Sequence, residues 1–110
     1  MWVFTTSGFV SAVYKDDAMQ IRARDRKSLE GLRKQTGASI TSTPLADYPY
    51  RIAITNEQFA AWVSHQALSV AYKNFKSEVA DTRGYGFAKP LNKVWSVMHE
   101  VEDSKARVRT

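Results

Sequence analysis

The stretch from Thr55 to Val79 constrains this chain most, because it is the longest run of helical periodicity and it carries two apolar stripes. Phe59, Trp62, Val63, Ala67 and Val70 recur at helical spacing on one side, while Leu68, Tyr72, Phe75 and Val79 repeat on nearly the opposite side. Either the helix breaks near Ser69-Val70-Ala71, or one continuous helix lies between two layers. The sequence favours a long central helix, with N-terminal strands on its first stripe and the last helix on its second. Thr55 is the N-cap, and Gln58 three residues on completes a capping box, the sharpest boundary in the chain.

Upstream, residues 2 to 24 are rich in β-branched and aromatic residues and read as three strands: Trp2 to Thr5, Phe9 to Tyr14 and Met19 to Arg24. The short polar gap Lys15-Asp16-Asp17-Ala18 predicts an antiparallel hairpin between the second and third. In the third, Met19, Ile21 and Ala23 alternate with Gln20, Arg22 and Arg24, which predicts a sheet with one covered face and one wet, cationic face. Asp25 is placed to cap a short helix from Arg26 to Thr36, with Leu29 and Leu32 inward and Gly37 just past its end. Residues 38 to 44 are a short edge strand or an extended connection, since Pro44 argues against a central strand. Asp47-Tyr48-Pro49 then turns into a strand with Tyr50, Ile52 and Ile54 on one face.

Downstream, Asp81 to Gly86 carries two glycines among polar residues and ends the helical pattern. A last helix follows, with Pro90 in its first turn and Leu91, Val94, Trp95, Met98 and Val101 as one apolar stripe. That stripe is the expected partner of Leu68, Tyr72, Phe75 and Val79. Trp2, Trp62 and Trp95 are all expected in the core. The architecture that follows is α+β: an antiparallel three- or four-stranded N-terminal sheet packed against the long helix and the C-terminal helix, with a short helix after the third strand. A length of 110 residues and a hydrophobic fraction of 44% suit one domain over residues 1 to 103, with residues 104 to 110 as a loose basic tail.

The chain has no cysteine, which excludes disulfides, a thiolate nucleophile and thiolate zinc sites, and suits a reducing cytoplasm. Its opening residues lack the basic region of a signal peptide, and no apolar run nears the ~20 residues of a membrane span, so no membrane partner is expected. A net charge of +5 draws it towards nucleic acid or acidic protein surfaces.

The opening Met1-Trp2-Val3-Phe4-Thr5, the following Gly8-Phe9, the Ile21 to Arg24 strand, the Asp47-Tyr48-Pro49-Tyr50-Arg51 turn, Tyr72-Lys73-Asn74-Phe75-Lys76 and Val94-Trp95 occur in this order. Together they resemble a family of short, uncharacterised proteins from actinobacteria and their bacteriophages. The resemblance implies a host of mycobacterial or related type and assigns no catalytic residues and no activity. A phage-encoded copy would act upon a host component.

Two binding surfaces are candidates. Tyr48 and Tyr50 at the turn, and Tyr85 and Phe87 on a glycine-hinged loop, are aromatics of the kind that anchor a protein partner. Arg83 to Ala88 also matches the first part of a base-stacking signature, but Lys89-Pro90 stands where its later aromatics belong. Arg22 and Arg24, with Arg26, Lys27, Arg33 and Lys34 close behind and Tyr14 on the neighbouring strand, are candidates for a phosphate-tracking surface, against the plainer reading of a solvated sheet face. His99, with Glu102 and Asp103 three and four residues on, is spaced for an ion pair, and His65 stands far from it in sequence. No metal, cofactor or catalytic residue is expected. The sequence therefore points to a non-enzymatic binding protein, with a host protein favoured as partner over nucleic acid, enzymatic activity third, and homodimerisation open.

Overall fold

A computed structural model describes residues 1–103, and the expected basic tail lies outside them. The chain forms two compact units, one over Met1–Lys73 and one beginning at Asn74. The first holds strands β1 (Trp2–Thr5), β2 (Gly8–Lys15) and β3 (Ala18–Ala23), helix α1 (Lys27–Thr36), strands β4 (Thr41–Ser42) and β5 (Tyr50–Ile54), and helix α2 (Asn56–Leu68). The five strands form one antiparallel sheet in the order β1-β2-β3-β5-β4. The fold is α+β as the sequence predicts. The sheet gains its fifth strand because the stretch before Pro44 pairs with β5 through Thr41 and Ser42.

Strand alternation decides which face is covered. Val10 and Ala12 from β2, Ile21 and Ala23 from β3, and Ile52 and Ile54 from β5 are buried on the inner face, together with Leu29 and Leu32 of α1 and Phe59 and Trp62 of α2. Each such aliphatic or aromatic side chain contributes about 1.5–3 kcal/mol when fully buried, so this cluster sets the orientation of both helices. The β2–β3 turn runs through Asp16 and Asp17, both with positive φ, a conformation that aspartate tolerates better than most residues. Gly8 is required for a different reason. A Cβ built there would lie 2.1 Å from Ser28 Oγ, because the start of α1 presses directly on the start of β2. Ser28 holds that contact, accepting a hydrogen bond from the Phe9 N–H at 3.2 Å and donating its own hydroxyl to Asp25.

The helical signal over 55–79 resolves into two helices, not one sandwiched helix. The capping box at Thr55 forms in both directions, with Gln58 N–H on Thr55 Oγ1 and Thr55 N–H on Gln58 Oε1. At the other end Ser69 turns back on α2, its N–H reaching the His65 carbonyl and its hydroxyl the Gln66 carbonyl. Asn74 then starts α3 (Phe75–Arg83) by accepting from the Ser77 N–H at 3.0 Å. The first stripe lies in α2 as far as Ala67, whereas the second is divided: Leu68 ends α2, Tyr72 lies between the helices, and Phe75 and Val79 belong to α3. Phe59 and Trp62 of the first are buried, whereas Leu68 is 85% exposed.

In the second unit α3 packs on α4 (Tyr85–Val97), with Gly84 the single residue between them. Gly84 has φ 90 and ψ 160, a backbone state that essentially only glycine adopts, and so two helices follow each other without a loop. Val79 and Ala88 are the buried residues of this pair. Pro90 lies inside α4 and not in its first turn, because the helix begins at Tyr85. The apolar stripe is not buried as expected, and it does not lie on one helix: α4 ends at Val97, and Met98–Val101 form a 3-10 turn. Val94, Trp95, Met98 and Val101 are exposed. Of the tryptophans expected inside, Trp62 is buried, while Trp95 is 61% and Trp2 68% exposed.

Candidate functional site

The outer face of the sheet, opposite α1 and α2, carries a continuous row of side chains set by register. Trp2 of β1 stands opposite Ser11 of β2, Ser11 opposite Arg22 of β3, Arg22 opposite Arg51 of β5, and Arg51 opposite Thr41 of β4. Aromatics gather beside this row. Phe4 and Phe9 stack with centroids 4.6 Å apart, and Trp2 meets Phe9 edge-on at 5.7 Å. Tyr48, carried over the same face by the turn before β5, lies 6.5 Å from Phe9.

The arginines are fixed by different partners. Arg22 donates from Nη2 to Ser11 Oγ at 2.9 Å, and its guanidinium stands 4.6 Å from the Tyr48 ring centroid. Arg24 stands at 4.7 Å from the same ring and also pairs with Asp47, through Oδ1 at 3.0 Å and the backbone carbonyl at 3.2 Å. Tyr48 is thereby only 8% exposed, a platform beneath two cations and not a projecting anchor. The Arg24–Asp47 bridge is solvent-exposed and contributes little energy of its own, but it neutralises Arg24.

Arg22 and Arg51 are not neutralised. They face each other directly across β3 and β5, an arrangement of like charges that disfavours strand pairing. Among the described residues neither has an ion-pair partner, and the Nε atoms of both are shielded from solvent without a hydrogen bond. A buried unpaired donor costs about 1–3 kcal/mol. Guanidinium groups carry donors in a fork geometry that suits phosphate and carboxylate oxygens. The neighbouring aromatic cluster offers flat apolar surface, and Trp2 is its exposed member.

The basic cluster expected from the sequence is split by the fold. Arg22 and Arg24 share the outer face as alternation predicts, but Arg26, Lys27, Arg33 and Lys34 belong to the start and body of α1, which packs on the inner face. Arg26 and Arg33 there pair with Glu30 at 3.6 and 3.0 Å. The hydrogen bond from Arg33 holds the Glu30 carboxyl below its ordinary range. Tyr14 is exposed, yet it alternates with Ser11 and Val13 onto the other side of β2, away from Arg22. Tyr50 likewise points inward, where it packs against the core. Tyr85 and Phe87 do not form a loop, because Tyr85 opens α4; Tyr85 is exposed, and Arg83 sits 4.0 Å over the Phe87 ring. No strand runs through this segment, so the base-stacking signature has no sheet to display it.

His99 contacts Glu102, and its ring meets Trp95 edge-on at 4.8 Å. No group of three or more metal-binding side chains occurs among the described residues. No helix among them is long and apolar enough to cross a membrane. The residues that sequence reasoning missed are Arg51 and the aromatics Trp2, Phe4 and Phe9. Arg51 had a usable signal: it alternates with Tyr50 and Ile52, which sends it to the face that Arg22 occupies. No protein family, curated protein or solved structure was found to match the chain.

Proposed function

We propose that this is a non-enzymatic binding protein whose outer sheet face takes single-stranded nucleic acid. The observation that carries the reading is the Arg22–Arg51 pair, two adjacent cations without a carboxylate partner among the described residues, set in one row with exposed Trp2. A phosphate bridging the two guanidinium groups relieves their repulsion. A base laid on Trp2 and the Phe4–Phe9 stack gains stacking energy of about 1–3 kcal/mol without demanding a particular sequence. The net charge of +5 steers the approach of the polyanion. Such a role belongs to the cytoplasm, which the absence of cysteine also suits.

The test is fluorescence anisotropy with a labelled oligothymidylate across a range of salt. Binding is expected at low salt, weakening as salt rises, and the double replacement of Arg22 and Arg51 by Ala lowers the affinity and flattens the salt dependence by about one to two counterions. Absence of binding at low salt, or equal binding by the double variant, overturns the proposal. A protein partner is the second reading, supported by exposed Tyr85 and Trp95 on α4. In that case α4 variants, and not sheet variants, lose their partner.

A further inference from the structure

The outermost strand β1 presents an edge to which no other strand among the described residues is bonded, and its hydrogen-bond phase can be read directly. Met1 N donates to the Ala12 carbonyl at 2.8 Å and Ala12 N–H donates to the Met1 carbonyl at 2.7 Å, so Met1 and Ala12 are a hydrogen-bonded pair. Antiparallel alternation makes Val3–Val10 and Thr5–Gly8 the next such pairs. The N–H and C=O groups of Trp2 and Phe4 therefore point away from β2, along the free edge.

This edge lacks the usual protection. Natural sheets guard an edge with lysine, proline, a bulge or a very short strand, and Trp2-Val3-Phe4-Thr5 has none of these. The contrast within the molecule is direct: the opposite edge is β4, two residues long and followed closely by Pro44. A cleft of about 190 Å³ remains between β1 and the end of α2 with the residues that follow it, lined by apolar Val3, Phe4, Val63 and Val70 and by polar Thr5 and Gln66 among others.

We infer that β1 pairs with β1 of a second copy, antiparallel about Val3, to give one sheet that runs through both molecules. The segment is complementary to itself. A two-fold axis at Val3 sets Trp2 opposite the partner's Phe4 and Phe4 opposite the partner's Trp2, joining the outward backbone groups of both in hydrogen-bonded pairs. The side chains of Trp2 and Phe4 lie on the same face, so each cross-strand pair is aromatic on aromatic, a favourable combination. Such an interface is isologous and closes at two copies, which an arbitrary apolar peptide has no reason to match. The arginines do not oppose it. Arg22 of each copy sits two strands from the edge, so the pair is separated by about 24 Å, several times the ~8 Å screening length at physiological salt. The two arginine-bearing outer faces then lie on one continuous surface.

Sedimentation equilibrium of the full chain without nucleic acid tests the inference independently of the ligand proposal. A monomer–dimer equilibrium is expected. Phe4→Pro removes an N–H that points off the edge while leaving the β1–β2 bonds in place, and it raises the dimer dissociation constant at least tenfold with an unchanged circular dichroism spectrum. Trp2→Lys places a charge on the exposed edge and does the same, which decides the matter if the proline variant fails to fold. A monomer throughout the accessible concentration range, or a dimer that Trp2→Lys leaves intact, overturns the inference.

Discussion

Replacing Gly8 by Ala probes the joint between the sheet and α1. The new Cβ would stand 2.1 Å from Ser28 Oγ, 2.8 Å from Ser28 Cβ and 3.0 Å from its Cα, so a change of rotamer at Ser28 does not clear the overlap and α1 itself must shift. That helix carries Leu29 and Leu32, both fully buried. Overpacking of this kind costs about 1–3 kcal/mol, and distortion of the Phe9–Ser28 hydrogen bond adds about 0.5–1.5 kcal/mol, giving roughly 2–4 kcal/mol in all. For a chain of this size each kcal/mol moves the melting temperature by about 4–8 °C, so a fall of at least ~8 °C is expected by circular dichroism. The double variant Gly8→Ala with Ser28→Gly removes the Oγ and Cβ contacts together, and it should recover part of the loss. A single variant within about 0.5 kcal/mol of the parent, the range of a neutral surface change, would refute the claimed close approach.

Asn74→Ala removes the cap of α3 and should destabilise that helix by about 0.5–2 kcal/mol, seen as faster amide exchange over Phe75–Arg83 with little change in α2. Pro90→Ala restores an N–H within reach of the Gly86 carbonyl in α4 and should slow exchange there by up to about 3 kcal/mol in local stability; unchanged exchange would count against an unbroken helix through this position. The Glu30 carboxyl titrates below its ordinary range in the fold, so its contribution is complete above the unfolded value and fades as pH falls through the folded one. Glu30→Gln should therefore flatten the acid side of the stability profile measured by urea titration, leaving the alkaline side unchanged.

Much of the sheet was legible because two-residue alternation is local. Ile21 and Ala23 against Arg22 already fix which side of β3 is covered, and Thr55 with Gln58 fixes where α2 begins. The break after Leu68 was harder to place because Ala67, Leu68, Val70 and Tyr72 satisfy two helical phases at once, while the deciding contacts are short-range caps by Ser69 and Asn74. The candidate site was half legible. Arg22 could be read from its own strand, but its neighbour Arg51 comes from β5, and only pairing across 28 residues of intervening sequence sets them opposite each other. The Tyr48 platform was invisible for a related reason: a residue in an Asp-Tyr-Pro turn looks exposed until the arginines above it are known.

The central claim is that the outer sheet face, and not the basic surface of α1, receives the ligand. Titrating isotopically labelled protein with oligothymidylate and following the Trp2 indole and the arginine side-chain resonances by nuclear magnetic resonance addresses it directly. Progressive shifts at Trp2, Phe9, Arg22 and Arg51, with Lys27 and Lys34 unmoved, are the predicted result. Shifts confined to α1, or none anywhere at low salt, would contradict it.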